Sequence, residues 1–390
     1  MFSHRVSDRL APNRFAQALR AHRAGGRPLI DLTESNPTRA GFDYPLDLLA
    51  PLADPRALRY DPHPFGSLDA RTAVAREYER HGLAVAPQRI VLTASTSDAY
   101  SLLFKLLADA GDEVLIPRPS YPLFDHLTQL DLASARPYDL EYHGAWTLDL
   151  ASVARALMPR TRAVLIVSPN NPTGSFVSRA ELDGLAALCA PREIAIIADE
   201  VFADFELEEG SAVRAGRAAA RRDVLSFALG GFSKSIGLPQ LKLGWIAVAG
   251  PDGLVESALE RLEVICDTYL AVSTPVQAAA ADLLNRGADI RHQIAQRVKA
   301  NYRHLRSVAA SAPSCTVLRS DGGWYAVLQV PSLESEEDLV VGLLQADNVA
   351  VHPGYFFDFL RESYLVVSLL PPPDTFAAGI ARVLRRFGTP

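Results

Sequence analysis

A chain of 390 residues is long enough for one large or two medium domains with a substantial buried core. Its 48% hydrophobic and 22% charged residues are an ordinary globular composition, and a net charge of −6 argues against a surface built throughout for nucleic acid. No apolar run reaches the about 18 residues that cross a bilayer. The three cysteines, Cys189, Cys266 and Cys315, lack the paired spacing of a disulfide framework or a zinc site, as expected in a reducing compartment. Charges at His4, Arg5, Asp8 and Arg9 with no apolar segment behind them leave no secretory signal. A cytoplasmic protein with neither membrane nor nucleic-acid partners is expected, and no metal site.

In chain order, a short amphipathic helix is expected over residues 15–23, followed by a turn-rich stretch, Glu34-Ser-Asn-Pro-Thr-Arg-Ala-Gly41. Between about 45 and 280, short apolar runs at 89–92, 113–116, 163–167, 194–198, 224–227 and 244–248 read as strands. Helix-period segments lie between them, such as 97–110, stopped by Gly111, and 178–189, stopped by Pro191. This alternation predicts an α/β domain with a mostly parallel, doubly covered sheet, whose ligands bind beyond the carboxyl ends of its strands. A long helix over 290–310, strands over 324–330 and 364–369 and a last helix over 375–387 predict a smaller α+β domain. It is built from both chain ends, 1–44 and 281–390. The basic residues Arg286, Arg291, His292, Arg297, Lys299, Arg303, His304 and Arg306 read as the solvated face of the long helix, because no aromatic interleaving or nucleic-acid motif accompanies them.

Three segments carry chemistry. Ser233-Lys234-Ser235 follows a buried strand, where desolvation lowers a lysine's pKa as imine formation requires. A phosphate-cradling nucleotide loop is disfavoured because Ser233 rather than glycine precedes Lys234; a plain surface lysine stays open on this segment alone. Ser168-Pro-Asn-Asn-Pro-Thr-Gly174 ends another strand, with asparagines that either serve the turn or meet a ligand. Ala198-Asp-Glu-Val-Phe202 ends a third strand in an acidic pair, which is costly unless a carboxylate meets a cation.

Taken together and in this order, the three segments resemble the class I/II aminotransferases, fold-type I enzymes dependent on pyridoxal 5'-phosphate (PLP). The resemblance extends to Tyr60 before Gly66, the Pro119-Ser-Tyr121 turn and Val351-His-Pro-Gly354. It implies that Lys234 holds PLP as an aldimine and moves protons at the substrate α-carbon. It implies equally that Asp199 pairs with the pyridinium nitrogen, preserving the ring as an electron sink. Asn171 matches the donor to the ring's phenolic oxygen, and Tyr121 the aromatic residue stacked on the ring. Ser95-Thr96-Ser97 resembles the phosphate cup at a helix N-terminus, completed by Ser233 and Lys242. Tyr60 matches a tyrosine supplied by a partner subunit, which implies a homodimer. The implied reaction moves an amino group between an α-amino acid and a 2-oxo acid. A PLP-dependent lyase, decarboxylase or cyclase is the alternative. A catalytically silent PLP-binding regulator would need a DNA-binding module for which no length is spare.

Four positions depart from the family pattern. Lys242 stands where arginine is usual, Phe202 where tyrosine is, and Thr93-Ala-Ser95 replaces Thr-x-Gly. In Tyr364-Leu-Val-Val-Ser368, Val366 takes the place of the arginine that grips the substrate carboxylate. Ser35, Asn36 and Asn171 are then the expected carboxylate donors, with Arg361 read as a solvated loop residue.

Overall fold

The computed structural model describes residues 2–6, 11–361 and 363–388; Asp8 and Arg9 lie outside that set. Helix α1 (Arg14–Ala24) leads into a two-residue strand, β1 (Ile30–Asp31). Helix α2 (Leu68–Arg80) precedes β2 (Ile90–Thr93), α3 (Thr96–Leu107) and β3 (Glu113–Arg118). Then come β4 (Ser134–Tyr142), β5 (Trp146–Leu148), β6 (Thr161–Val167) and α4 (Arg179–Cys189). Strands β7 (Ala195–Asp199), β8 (Ser226–Gly231) and β9 (Gly244–Ala249) complete this part. Helices α5 (Asp252–Tyr269) and α6 (Ala288–Ala309) are followed by β10 (Thr316–Val317) and β11 (Tyr325–Gln329). The chain closes with α7 (Glu336–Asp347), β12 (Val349–Ala350), β13 (His352–Pro353), β14 (Tyr364–Ser368) and α8 (Pro373–Arg385).

The large sheet has eight strands in the order β2-β9-β8-β7-β6-β3-β4-β5. Its centre is parallel, from β8 through β7, β6 and β3 to β4, whereas β9 is antiparallel to both neighbours. Strand β2 therefore points the same way as β8, and six strands deliver their carboxyl ends to one edge. Ile196 and Ala198 of β7 enter one core, while Ala195 and Ile197 enter the other. Burial on both faces is the reason these strands are unbroken apolar runs. A second, antiparallel sheet runs β10-β11-β14-β13, and β1 pairs with β12 through Ile30 and Val349, tying the start of the chain to its end.

Three differences from the sequence reading have local causes. Helix α3 ends at Leu107, short of Gly111, because the Asp112 carboxylate accepts from the Asp109 N–H and holds the chain in a turn. Strand β4 escapes the apolar-run criterion because Arg136 and Asp139 interrupt it; they pair across to Glu113 and Arg118. The basic stretch on α6 is also not uniformly solvated. Arg291 is buried, donating to the Ser235 carbonyl at 2.9 Å and lying 2.8 Å from Glu77. Arg297 donates to the carbonyls of Ala40 and Leu370.

Candidate active site

The candidates gather at the carboxyl edge of the large sheet. Ser95–Ser97 follow β2, Tyr121 follows β3, Asn171 follows β6, Asp199 ends β7 and Lys234 follows β8. Because β8, β7 and β6 are adjacent, Lys234, Asp199 and Asn171 are brought side by side. Lys234 Nζ lies 4.8 Å from the Trp324 ring centroid and 5.6 Å from that of Phe202. Burial among these rings pushes its pKa down to about 8, opposed by the Asp199 charge.

Asp199, the last residue of β7, and Glu200, just beyond it, meet different partners. Asp199 Oδ2 accepts from the Tyr100 hydroxyl at 2.8 Å, and Oδ1 from the Val201 N–H at 3.1 Å. Burial raises this carboxyl above the usual carboxylate range, while the two donors and Lys234 pull it back. Glu200 instead accepts from Arg217 at 3.1 Å and from the Ala218 N–H at 3.2 Å. Its carboxylate is thus engaged in the scaffold.

The two asparagines divide their work. Asn170 accepts from Ser120 and donates to Pro119 and Thr173, locking the turn. Asn171 Oδ1 is buried with no hydrogen-bond partner. Gly174 is left-handed (φ +72°), and a Cβ there would stand 2.5 Å from the Gly322 carbonyl. Its own carbonyl accepts from Asp321 and Gly322, drawing the loop that carries Trp324 against the turn.

Past the carboxyl end of β2, at the same edge, Ser95 caps α3 by accepting from the Asp98 N–H at 3.1 Å. Ser95, Thr96 and Ser233 are half-buried, whereas Ser97 and Lys242 are exposed. Gly244 approaches this loop so closely that a Cβ would meet the Ser95 backbone at 3.0 Å, and Lys242 stands two residues before it. Tyr121 is 38% exposed and packs edge-on against Phe124. Tyr60 is 76% exposed beside a small pocket that also includes Leu92, Leu270 and Gln277.

On the substrate side, Val366 is fully buried in β14, opposite Val327 and His352. Ser35 is exposed, and burial pushes the hydroxyl pKa of Tyr325 up to about 12. Asn36 spends its side-chain oxygen on Thr38, accepting from N–H and hydroxyl at 3.1 and 2.8 Å. Arg361 is exposed. Tyr100, Trp324 and Tyr325 are absent from the sequence reading. The one signal for Tyr100 was a hydroxyl-bearing residue within the apolar stripe of a helix; Trp324 and Tyr325 follow the Gly322-Gly323 turn.

A family model described as aminotransferase class I and II matches residues 29–375. A glutamate–pyruvate aminotransferase of Haemophilus influenzae is 25% identical over 95% of this chain and 93% of its own. An alanine aminotransferase of Mycobacterium bovis is 26% identical over 92% of this chain and 86% of its own. Among solved structures, an aminotransferase from Escherichia coli superposes with a TM-score of 0.87 at 22% identity, covering 99% of this chain and 98% of the other. Alanine aminotransferase from Pyrococcus furiosus gives 0.86 at 21% identity, covering 97% and 99%.

Proposed function

The chain belongs to the family of class I and II aminotransferases, and we propose that Lys234, Asp199 and Asn171 form the centre of its active site. Aminotransferases of this class use PLP and act on amino acids and 2-oxo acids. The residues present fit that cofactor: a lysine of lowered basicity, a buried carboxylate beside it, and a buried asparagine just past the adjoining strand β6. Bound PLP supplies the electron sink for a carbanion at the substrate α-carbon.

The chain's own groups do the rest. Lys234 would attach the cofactor and carry the proton at the α-carbon, and Asp199 would offer its charge to the ring nitrogen. Asn171 would hold the ring's oxygen substituent, and Tyr121 would pack against the ring. The α3 N-terminus with Ser95, Thr96, Ser97 and Ser233 receives the phosphate, assisted by Lys242. Residues 45–280 form the cofactor-binding domain, and 1–44 with 281–390 the smaller one. The substrate carboxylate is held by neutral donors, Asn171 and the segment of Ser35 and Asn36, since β14 offers only Val366.

The single observation that carries this reading is the convergence of Lys234 and Asp199 at the ends of adjacent strands. The test is to load the purified protein with PLP, reduce it with borohydride and map the modified peptide. Modification at Lys234 is expected, and modification elsewhere overturns the assignment. Adding single amino acids, beginning with the alanine and glutamate that the relatives' names suggest, should leave the amino group on the cofactor. Regeneration of the aldehyde with loss of carbon dioxide or of a side chain would instead favour lyase or decarboxylase chemistry.

A further inference from the structure

We infer that Tyr100 is a positioning residue that holds the ring-nitrogen proton on the cofactor by tuning Asp199. The inference rests on the reading of Asp199 just proposed. The Tyr100 hydroxyl is buried and donates to Asp199 Oδ2 at 2.8 Å, while Val201 occupies the other oxygen. A carboxylate buried between hydrophobic layers tends to take up a proton. Were Asp199 to draw the proton from the ring nitrogen, the ring would lose the charge that makes it a strong electron sink. A hydrogen bond donated to the ionised carboxylate lowers its proton affinity and leaves the proton on the nitrogen.

Geometry gives Tyr100 a second link. Thr96 and Tyr100 are one helical turn apart on α3, so the helix that opens the phosphate cup also presents the hydroxyl to Asp199. The Tyr100 ring is fixed by Phe104, stacked at 6.0 Å, and by Phe124, edge-on at 5.5 Å; Phe124 in turn touches Tyr121 at 5.8 Å. Phosphate end, ring face and ring nitrogen are thereby referred to one packed unit.

The test is Tyr100→Phe, which keeps the ring packing, loaded with PLP labelled with nitrogen-15 in the ring. The nitrogen resonance should move toward the unprotonated position, and PLP affinity should fall roughly tenfold, the scale of a hydrogen bond to a charged group. An unmoved resonance overturns the inference, with or without a loss of affinity, because packing alone would then explain the residue. A second readout needs no variant. In the wild-type protein the Tyr100 hydroxyl proton should resonate far downfield and shift when PLP is removed; a proton indifferent to PLP also overturns the inference. A wild-type protein that takes up no PLP defeats the active-site reading itself. A loaded wild type beside an unmoved Tyr100→Phe signal defeats this inference alone.

Discussion

Lys234 is nucleophilic only as the free amine, and its lowered pKa of about 8 sets where that form appears. Below that pH the ammonium dominates and each unit of acidity removes about tenfold of the amine. The rate of PLP attachment to the apoprotein should therefore rise about tenfold from pH 6 to 7 and level off above about pH 8. An ordinary lysine would keep gaining to about pH 10. Mass spectrometry after borohydride trapping reads the rate, and Lys234→Ala should abolish it. The acidic pair offers a sharper contrast. Asp199→Asn should lower turnover by roughly a hundredfold or more, the scale of losing a charge-stabilising group at a reacting centre. Glu200→Gln should instead lower the melting temperature, because it weakens the pair with the poorly exposed Arg217, and alter turnover only slightly. Equal kinetic losses would refute the division. For the substrate carboxylate, Arg361→Ala should leave KM unchanged; a large increase would show that a displaced arginine replaces the one missing at Val366.

Separate elements are pinned by one buried carboxylate. Asp204, just beyond β7, meets Arg80 at the end of α2, the adjoining His81 at 3.1 Å and Arg291 of α6 at 3.8 Å. Against the penalty of burial, the His81 hydrogen bond and the charges of Arg291 and Arg80 hold its carboxyl well below the usual carboxylate range. A depressed folded-state pKa means the stabilisation is fully present above the unfolded value of about 3.9 and drains as pH falls below it. Asp204→Asn should destabilise the protein by about 2 kcal/mol at neutral pH, since Arg80 and Arg291 lose one anion but keep Glu77. Thermal melts between pH 5 and 2 should show the variant losing less stability than the wild type over that interval. A parallel pH dependence would mean that other carboxylates govern the acid limb.

Among the described residues, no helix is long and apolar enough to cross a membrane. Large apolar side chains nevertheless stand exposed: Leu46, Leu58 and Tyr60 on the segment before β2, and Val264 and Tyr269 on α5. Tyr60 and Leu270 line one pocket, so these segments adjoin. A second copy of the chain across a two-fold axis would cover them and bring Tyr60 to the neighbouring site. Sedimentation should report a dimer. Provided Tyr60→Ala alone is severely impaired, mixing it with Lys234→Ala should restore roughly a quarter of wild-type activity, since half the exchanged dimers are mixed and each carries one intact site. A mixture that stays inactive although mixed dimers form would refute site sharing.

The alternation of apolar runs and helical periods was enough to read the parallel centre of the large sheet, because doubly buried strands leave unbroken apolar runs in the chain itself. The turns bearing Asn171, Asp199 and Lys234 were legible for a related reason: each abuts such a run, and their residue types follow local backbone and chemical demands. Strand β4 was not, since its polar residues find their partners across the strand pair rather than along the chain. The separate fates of Asn170 and Asn171, the inward turn of Arg291 and the bond from Tyr100 to Asp199 were likewise decided only by the tertiary structure. Each depends on which distant group arrives opposite a side chain. Tyr100 and Asp199 are 99 residues apart, and no periodicity or motif spacing records a contact between a helix and the end of a strand it packs upon.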